Sequence, residues 1–506
     1  MHRLDIKRLA VEMLGWLLLG AALAEWWSRT LAAGAPGYIN ADIVQIPAVV
    51  EDVLFRGNPM AHSWLLTPAP YFFPDGVLYL TMRVLLGKLE LAQLTASGLQ
   101  PVCLALAARQ FMVRVVERPQ AAALGPALVA LSMAFGLLGH APYDLLVVPA
   151  YHTGVAIVAT ASTAVLWRYA SSGGRVTLGL LSATSFAGGL SDALLLVGPA
   201  AASSTVLLFT FRRLGTDTGW RAWVAGGVLA VSTSGGFLTL RALPVPRHPQ
   251  LAARLSQLPQ IVHQAWLDWQ AFDGWSRAWL MIGLAALTLL AVRSSSGRVR
   301  ATSATLALST LYTLIAILLS ANLNDAGWIR YLLWPAFSGL LGLAMVGATA
   351  RWSQALMMAG CAAVVAVAVN PATWTLRSPP DFALRSEVAC VDALAQRENA
   401  HVVVGQYWVT KPVTLLSRAG VRVAQVEPDL HGISLWLTSR AWFYPLSQTG
   451  LLITNGLEPG PVEALGPDFE PVTCGTFQLR VYRGASRERL ESFLARHTFN
   501  AIGGPP

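Results

Sequence analysis

Charge is scarce in this chain. Only 12% of its 506 residues are charged, whereas 54% are hydrophobic, and an average soluble domain carries about 25% charged residues. So few charges cannot cover a water-facing surface of this size. Apolar runs long enough to cross a hydrocarbon core of about 30 Å recur from the N-terminus to about residue 370. The composition therefore excludes an ordinary soluble protein and predicts a mainly α, polytopic transmembrane helical bundle.

The sequence also lacks the motifs of common soluble enzymes. It contains no Gly-rich phosphate loop with lysine, no HExxH, no GxSxG and no CxxC pair. The net charge is +9, but the basic residues lie in short loops, as the positive-inside rule describes, and no run is dense enough for a nucleic-acid arm. No nucleic-acid partner is predicted.

The alternation of Arg-rich and Arg-poor loops predicts eleven spans in a bacterial inner membrane, with a cytoplasmic N-terminus. The transmembrane part covers 1–370, with a first external loop at 34–89 and a second at 243–276. The spans begin with Met13–Ala33, Leu91–Val113, Ala121–Gly139 and Leu145–Tyr169, followed by a hairpin around GGLSDALL. The remaining five are Trp220–Leu243, Arg277–Val292, one ending at ANLNDAGWIRYLLWP, and two that turn at Arg351.

From Ser378 the composition becomes that of a soluble domain, so residues 371–506 are predicted to form a small external (periplasmic) α/β domain. HVVVGQYW, VRVAQVEP, TGLLITN and FQLRVYRG are typical of strands, and TKPVTLLSRAG and SRERLESFLARH of helices. Two cysteines, Cys390 and Cys474, fall in this domain. A disulfide between them is expected if the compartment is oxidising.

Acidic residues are few, yet they gather in the first external loop. The candidate pocket residues there are Asp42, Glu51, Asp52, His62 and Asp75. Apolar residues at spacings of three and four in ADIVQIPAVVEDVLFRG predict an amphipathic helix on the membrane surface, with Asp42 near its start. The alternative is that Asp42 merely caps the N-terminus of this helix.

Further polar residues are predicted on the same side of the membrane. Asp144 follows span three, and Asp325 follows span nine, just before Arg330 and Tyr331. An arginine with aromatic neighbours facing an acidic pocket suits a phosphate group. The alternative for Arg330 is an ion pair with Asp325.

Two polar residues fall at or within the apolar segments. Asp192 lies at the tip of the GGLSDALL hairpin, where it marks either a cavity or a hydrogen-bonded turn. His152, in PAYHTG, falls within span four, where a hydrogen bond between helices and a functional role are both open.

The order of these features along the chain resembles the order found in the GT-C superfamily of membrane glycosyltransferases. This superfamily includes protein mannosyltransferases and aminoarabinose transferases. Its members carry an essential acid soon after span one, matched by Asp42, and a second acid after span three, matched by Asp144. PAPYFFPDGVLYL is similar to the family's juxtamembrane helix, without the common Lys-Pro-Pro form, and GKLELAQL echoes its turn into span two. A late RY-x-x-x-P is matched by Arg330, Tyr331 and Pro335.

The resemblance implies transfer of a sugar from a polyprenyl-phosphate-linked donor, with the lipid tail in a groove between spans. Asp42 would act as base for the acceptor hydroxyl or, with Asp144, as ligand of a divalent metal ion. Arg330 and Tyr331 would bind the donor phosphate. The acceptor is a glycan, lipid or protein that the sequence does not identify. The competing class is a non-catalytic lipid or polysaccharide transporter or flippase, and a third is a sensor.

Overall fold

The computed structural model describes residues 6–33, 40–57, 63–67, 69–148, 150–210, 216–242, 258–319, 326–348, 351–374, 384–444 and 449–502. The chain is mainly helical. The helices before residue 370 are α1 (Ile6–Ala32), α2 (Gln45–Val50), α3 (Val77–Leu86), α4 (Leu89–Val116), α5 (Leu124–Leu137), α6 (Thr153–Ser172), α7 (Arg175–Ser191), α8 (Ala201–Thr210), α9 (Thr216–Ala242), α10 (Leu258–Ala271), α11 (Gly274–Arg293), α12 (Gly297–Leu319), α13 (Leu333–Gly347) and α14 (Arg351–Ala368).

Each of the eleven predicted spans corresponds to one of these helices, namely α1, α4–α9 and α11–α14. In the described part of the chain, seven segments are long and apolar enough to cross a membrane. Five lie within α1, α4, α9, α11 and α12, and the other two, Pro119–Leu137 and Ile329–Gly347, each combine a 3₁₀ turn with the helix that follows it, α5 or α13. Helix α14 and the apolar segment Leu196–Leu208 are shorter. The chain is therefore a multi-pass membrane protein, and the number of crossings and their direction stay predictions.

Span four begins later than the sequence indicated. Residues Tyr143–Val147 form a 3₁₀ turn, and α6 starts at Thr153. Ala150 and His152 both have positive φ angles, 64° and 68°, which are incompatible with a continuous right-handed helix. His152 thus lies immediately before α6, and its placement within the span was wrong.

The predicted helix after Asp42 forms, but it does not lie free on a surface. Helix α2 continues into a π-helical turn, Glu51–Phe55. Ile43 and Ile46 are only 2% and 4% exposed, so both side chains are buried against protein. The expectation of a lipid-facing apolar stripe was wrong for these two residues.

The C-terminal α/β unit is built around a five-stranded sheet of order β3-β2-β5-β7-β6. Its central β2 pairs in parallel with β3 and β5, whereas β7 runs antiparallel to β5 and β6. The elements of this unit, and β1 which precedes it, are β1 (Trp64–Leu65), α15 (Arg385–Arg397), β2 (Val402–Gln406), α16 (Tyr407–Leu416), β3 (Arg422–Val426), β4 (Thr438–Ser439), β5 (Leu451–Ile453), α17 (Pro459–Ala464), β6 (Phe469–Cys474), β7 (Phe477–Tyr482) and α18 (Gly484–Ile502).

The four predicted strands and two predicted helices of this unit are confirmed, with one shift of boundary. Tyr407 and Trp408 open α16 and do not end β2. The side chain of Gln406 accepts a hydrogen bond from the Trp408 amide and so caps the helix one turn earlier than the pattern suggested. Cys390 and Cys474 form a disulfide with a Cα–Cα distance of 5.6 Å, which ties α15 to the end of β6.

Three contacts dock the C-terminal α/β unit on the segment around α2. Strand β1 pairs antiparallel with β4. The buried carboxylate of Asp52 accepts hydrogen bonds from the indole N–H groups of Trp64 at 2.9 Å and Trp442 at 3.3 Å. The Arg56 guanidinium donates to the carbonyl oxygens of Thr414 and Leu415 at the end of α16. As a result, α16 is held beside α2, next to Asp42.

Candidate functional site

Asp42 lies in a turn that the side chain of Asn40 stabilises. The Oδ1 atom of Asn40 accepts hydrogen bonds from the backbone N–H groups of Asp42, at 3.0 Å, and Ile43, at 2.9 Å. Helix α2 has Val44 at its N-cap position and no side-chain cap. Asp42 therefore does not cap the helix, and the structural alternative considered for it was wrong.

The Asp42 carboxylate instead meets Arg330. Arg330 lies in a 3₁₀ turn, Ala326–Leu332, immediately before α13. Its Nη1 donates to Asp42 Oδ2 at 3.2 Å, with both side chains about one-quarter exposed. The guanidinium also lies 5.8 Å from the ring centroid of Tyr151 and 5.3 Å from that of Tyr331. Arg330 is thus an ion-pair partner of Asp42, and Asp325 lies outside the described residues.

The C-terminal α/β unit supplies the other contacts of Asp42. The hydroxyl of Tyr407, the first residue of α16, donates to Asp42 Oδ1. One turn further, the ammonium of Lys411 lies 3.7 Å from the centroid of the Tyr407 ring. Lys411 is fully buried, and its Nζ has no hydrogen-bond partner within the described ranges. A loop near the N-terminus and a helix some 365 residues later therefore build one cluster.

Lys411 is an unusual cation electrostatically. Burial lowers its pKa from 10.5 to about 7, and the Asp42 carboxylate opposes that change by stabilising the ammonium. A buried cation without a hydrogen-bonding partner is costly to a fold. An additional negative charge near Asp42 would therefore be stabilised by the protonated form of Lys411.

A second polar chain lies beside this cluster. The Nδ1 atom of His152 is 2.5 Å from Asp192 Oδ2, and its Nε2 is 3.2 Å from the Tyr71 hydroxyl. The other oxygen of Asp192 accepts from the backbone amide of Leu194. The rings of His152 and Tyr331 are 4.7 Å apart. Asp192 therefore forms a hydrogen-bonded turn, as one of the two sequence alternatives proposed, and it also orients His152.

Asp75 is buried close to this chain. Its Oδ1 accepts hydrogen bonds from Gln100 Nε2, at 2.5 Å, and from the Ala150 amide, at 3.2 Å. Its Oδ2 has no partner among the described residues. Burial, reinforced by the Asp192 charge, raises the pKa of Asp75 to about 6.

The other candidates of the first loop have structural partners. Glu51 accepts hydrogen bonds from Arg83 and Tyr79, and Asp52 accepts those of Trp64 and Trp442. Both carboxylates are buried among groups that satisfy them. His62 falls outside the described residues.

Asp144 is exposed in the 3₁₀ turn after α5. Among the described residues it makes no hydrogen bond or ion pair with Asp42 or Arg330, and no group of three His, Cys, Asp or Glu side chains could hold a metal ion. Among the described residues, Asp42 and Asp144 therefore do not belong to a cluster of ligands for a divalent metal ion.

An apolar groove opens next to the Asp192 turn. It has a volume of about 560 Å³, and small or apolar residues of three neighbouring helical segments line it: Leu196, Val197, Ala200, Ala230, Tyr312 and Ile315. Leu196 begins a π-helical turn four residues after Asp192. The groove therefore lies one helical turn along the chain from the polar cluster.

The sequence pattern points to Asp42, Arg330, Tyr331, His152 and Asp192, but it gives no indication of three of their partners, Tyr71, Tyr407 and Lys411. Tyr71 lies in the PAPYFFPD stretch, and Tyr407 and Lys411 lie in QYWVTKP. A lysine on the apolar face of a short helix was the available signal, since lysine is almost never fully buried without a reason.

No protein-family model matches the chain, and no curated protein is significantly similar to it in sequence. A crystal structure of the Archaeoglobus fulgidus oligosaccharyltransferase, in complex with zinc and sulfate, superposes over 92% of this chain and 73% of its own with a TM-score of 0.43 and 9% identity. That likeness is too slight to support a functional argument.

Proposed function

We propose that this chain is an integral membrane glycosyltransferase that moves a sugar from a polyprenyl-phosphate-linked donor to an acceptor on the external face of the membrane. The observation that carries the proposal is the Asp42–Arg330 pair, set between the membrane helices and the C-terminal α/β unit. Transfer from a phosphate leaving group is helped by an acid that can accept the acceptor's proton and by a cation that stabilises the charge on the leaving phosphate.

Arg330 is the donor-phosphate ligand in this proposal. A guanidinium offers planar, two-point hydrogen bonding to phosphate and keeps its charge on burial. Its Nε has no partner among the described residues, so hydrogen-bonding capacity remains beyond the Asp42 contact. When it is protonated, Lys411 adds a second positive charge behind Tyr407, which favours an anion at this place.

The groove beside the Asp192 turn suits the lipid part of such a donor. Its lining is almost entirely apolar, and an isoprenoid chain gains stability roughly in proportion to the apolar area that it buries. The phosphate would then lie at the polar cluster, and the tail would run between the helices.

Asp42 organises the reacting groups. Both of its carboxylate oxygens accept hydrogen bonds, one from Arg330 and one from Tyr407. It can act as base for an acceptor hydroxyl only after one of these bonds is exchanged for the substrate. Asp144 remains the second candidate acid of the proposal, to be tested by substitution.

The test is release of polyprenyl phosphate from a polyprenyl-phosphate-linked sugar by the purified protein in detergent, with a cell-envelope extract supplied as the source of the acceptor. Asp42→Asn keeps the shape of the side chain and removes its charge, so release should fall by about 100-fold or more. Asp144→Asn tests the second candidate acid: a loss equal to that of Asp42→Asn would show that Asp144 takes part, and wild-type release would remove it from the proposal. Movement of the intact lipid across liposomes without release would favour a transporter instead.

A further inference from the structure

The chain from Asp192 through His152 to Tyr71 joins three separate segments. Tyr71 comes from the first loop, His152 precedes α6, and Asp192 follows α7. All three residues are buried, with exposures of 8%, 2% and 5%. Three polar side chains from distant segments thus form one continuous hydrogen-bonded path.

The backbone is strained at two of these residues. Tyr71 has φ of 55° and His152 has φ of 68°, a left-handed conformation that is unfavourable for bulky residues. The Tyr71 amide donates to the Ser191 carbonyl at 3.2 Å, and the Phe73 amide donates to Ser191 Oγ at 2.6 Å. Ser191, which precedes Asp192, therefore holds Tyr71 in this conformation.

The contacts fix the direction of the hydrogen bonds. A carboxylate can only accept, so Asp192 places a proton on Nδ1 of His152. The Nε2 atom of a neutral His152 then carries a lone pair and accepts from the Tyr71 hydroxyl. The phenol oxygen of Tyr71 keeps its own lone pairs for a hydroxyl group brought by a substrate.

Tyr71 also faces the Asp42 cluster. Burial, together with the Asp192 charge, raises the pKa of Tyr71 well above 10, whereas the nearby Arg330 lowers it. The charged and titratable groups that surround the path are Asp192, Asp75, Tyr331, Arg330 and Asp42. The hydrogen-bonded path therefore ends at the neutral phenol of Tyr71, close to the groups that are proposed to bind the donor.

We propose that Tyr71, His152 and Asp192 form a proton relay that receives the proton of the acceptor hydroxyl. This inference rests on the proposed glycosyl transfer. The acceptor oxygen forms a bond to the anomeric carbon and gives its proton to the Tyr71 oxygen, while Tyr71 passes its own proton to His152 Nε2. The bond from the anomeric carbon to the phosphate oxygen breaks, and its electron pair leaves with the phosphate on Arg330. Asp192 stabilises the resulting imidazolium.

The test begins with Tyr71→Phe, which has the same backbone preferences and removes only the hydroxyl. The rate of polyprenyl phosphate release should fall about 100- to 1,000-fold with a KM within about threefold of the wild-type value. Tyr143→Phe, at another buried tyrosine, is the matched control and should behave as wild type.

Unchanged activity in Tyr71→Phe would overturn the relay and leave Asp42 as the base. A second measurement does not depend on turnover. Nitrogen-15 NMR of histidine-labelled protein, assigned with His152→Gln, should show His152 protonated at Nδ1, and Asp192→Asn should shift that tautomer. A His152 protonated only at Nε2 would also refute the relay. Absence of release by the wild-type protein would instead contradict the proposed function.

Discussion

Replacing Lys411 by methionine should stabilise the protein and impair it at the same time. Methionine has nearly the length and flexibility of the lysine side chain but carries no charge. The ordinary lysine pKa of 10.5 and the value of about 7 in the folded protein differ enough to correspond to about 5 kcal/mol at a pH below both. The buried ammonium opposes folding by up to about that amount, and Lys411→Met removes the opposition.

The pKa of Lys411 also determines how the stability of the folded protein changes with pH. Below pH 7 the lysine is charged in both states, so the full cost is present. Between pH 7 and 10.5 the unfolded chain binds the proton and the folded protein does not, so stability rises with pH. At pH 9 the remaining cost is about 2 kcal/mol by the same arithmetic. The gain from Lys411→Met should therefore be larger at pH 6 than at pH 9.

The assay is thermal unfolding in detergent at both pH values, with Lys88→Met as control because Lys88 is exposed at the start of α4. The Lys411 variant should unfold at a higher temperature than the wild type, and polyprenyl phosphate release should decrease. A lower unfolding temperature at pH 6, or a gain that does not depend on pH, would refute the reasoning about Lys411.

Three further predictions concern other parts of the molecule. Arg330→Lys keeps the charge but loses two-point hydrogen bonding, so donor affinity should fall about tenfold or more in a lipid-phosphate binding assay. Asp52→Asn leaves one buried indole N–H without an acceptor, which should cost about 1–3 kcal/mol and expose the junction with the C-terminal α/β unit to limited proteolysis. Without reductant Cys390 and Cys474 should resist alkylation in denaturant, and their reduction should cost the α/β unit about 4 kcal/mol.

The helical architecture could be predicted because each long apolar run carries its own signal. Length and hydrophobicity place both ends of α4 and α5, and the end of α1, to within three residues of their observed bounds, whereas α1 starts seven residues earlier than predicted. The interruption before α6 could not be found in this way, because left-handed backbone at Ala150 and His152 depends on partners from other segments. The shared hydrogen bonds of Tyr71 and Asp192 with His152 are one such constraint.

The candidate site, too, could be predicted from the sequence only in part. Arg330 and Asp42 were identified separately, from their positions at the ends of apolar segments, and their mutual contact was not. Tyr407 reaches Asp42 only because β1 pairs with β4 and α16 packs beside α2. Long-range pairing of this kind leaves no periodic pattern in a single sequence, so the contribution of the C-terminal α/β unit to the site had to come from the structure.

Native mass spectrometry of the purified protein shows which lipids it binds, and therefore whether it binds the proposed donor. If the cluster around Asp42 and Arg330 holds a polyprenyl-phosphate donor, the wild-type protein should retain polyprenyl phosphate or its sugar-linked form through purification. Arg330→Gln, which removes the cation and keeps an amide, should lose that lipid while retaining ordinary phospholipids. A wild-type protein that carries only ordinary phospholipids, even after incubation with polyprenyl phosphate, would contradict the account.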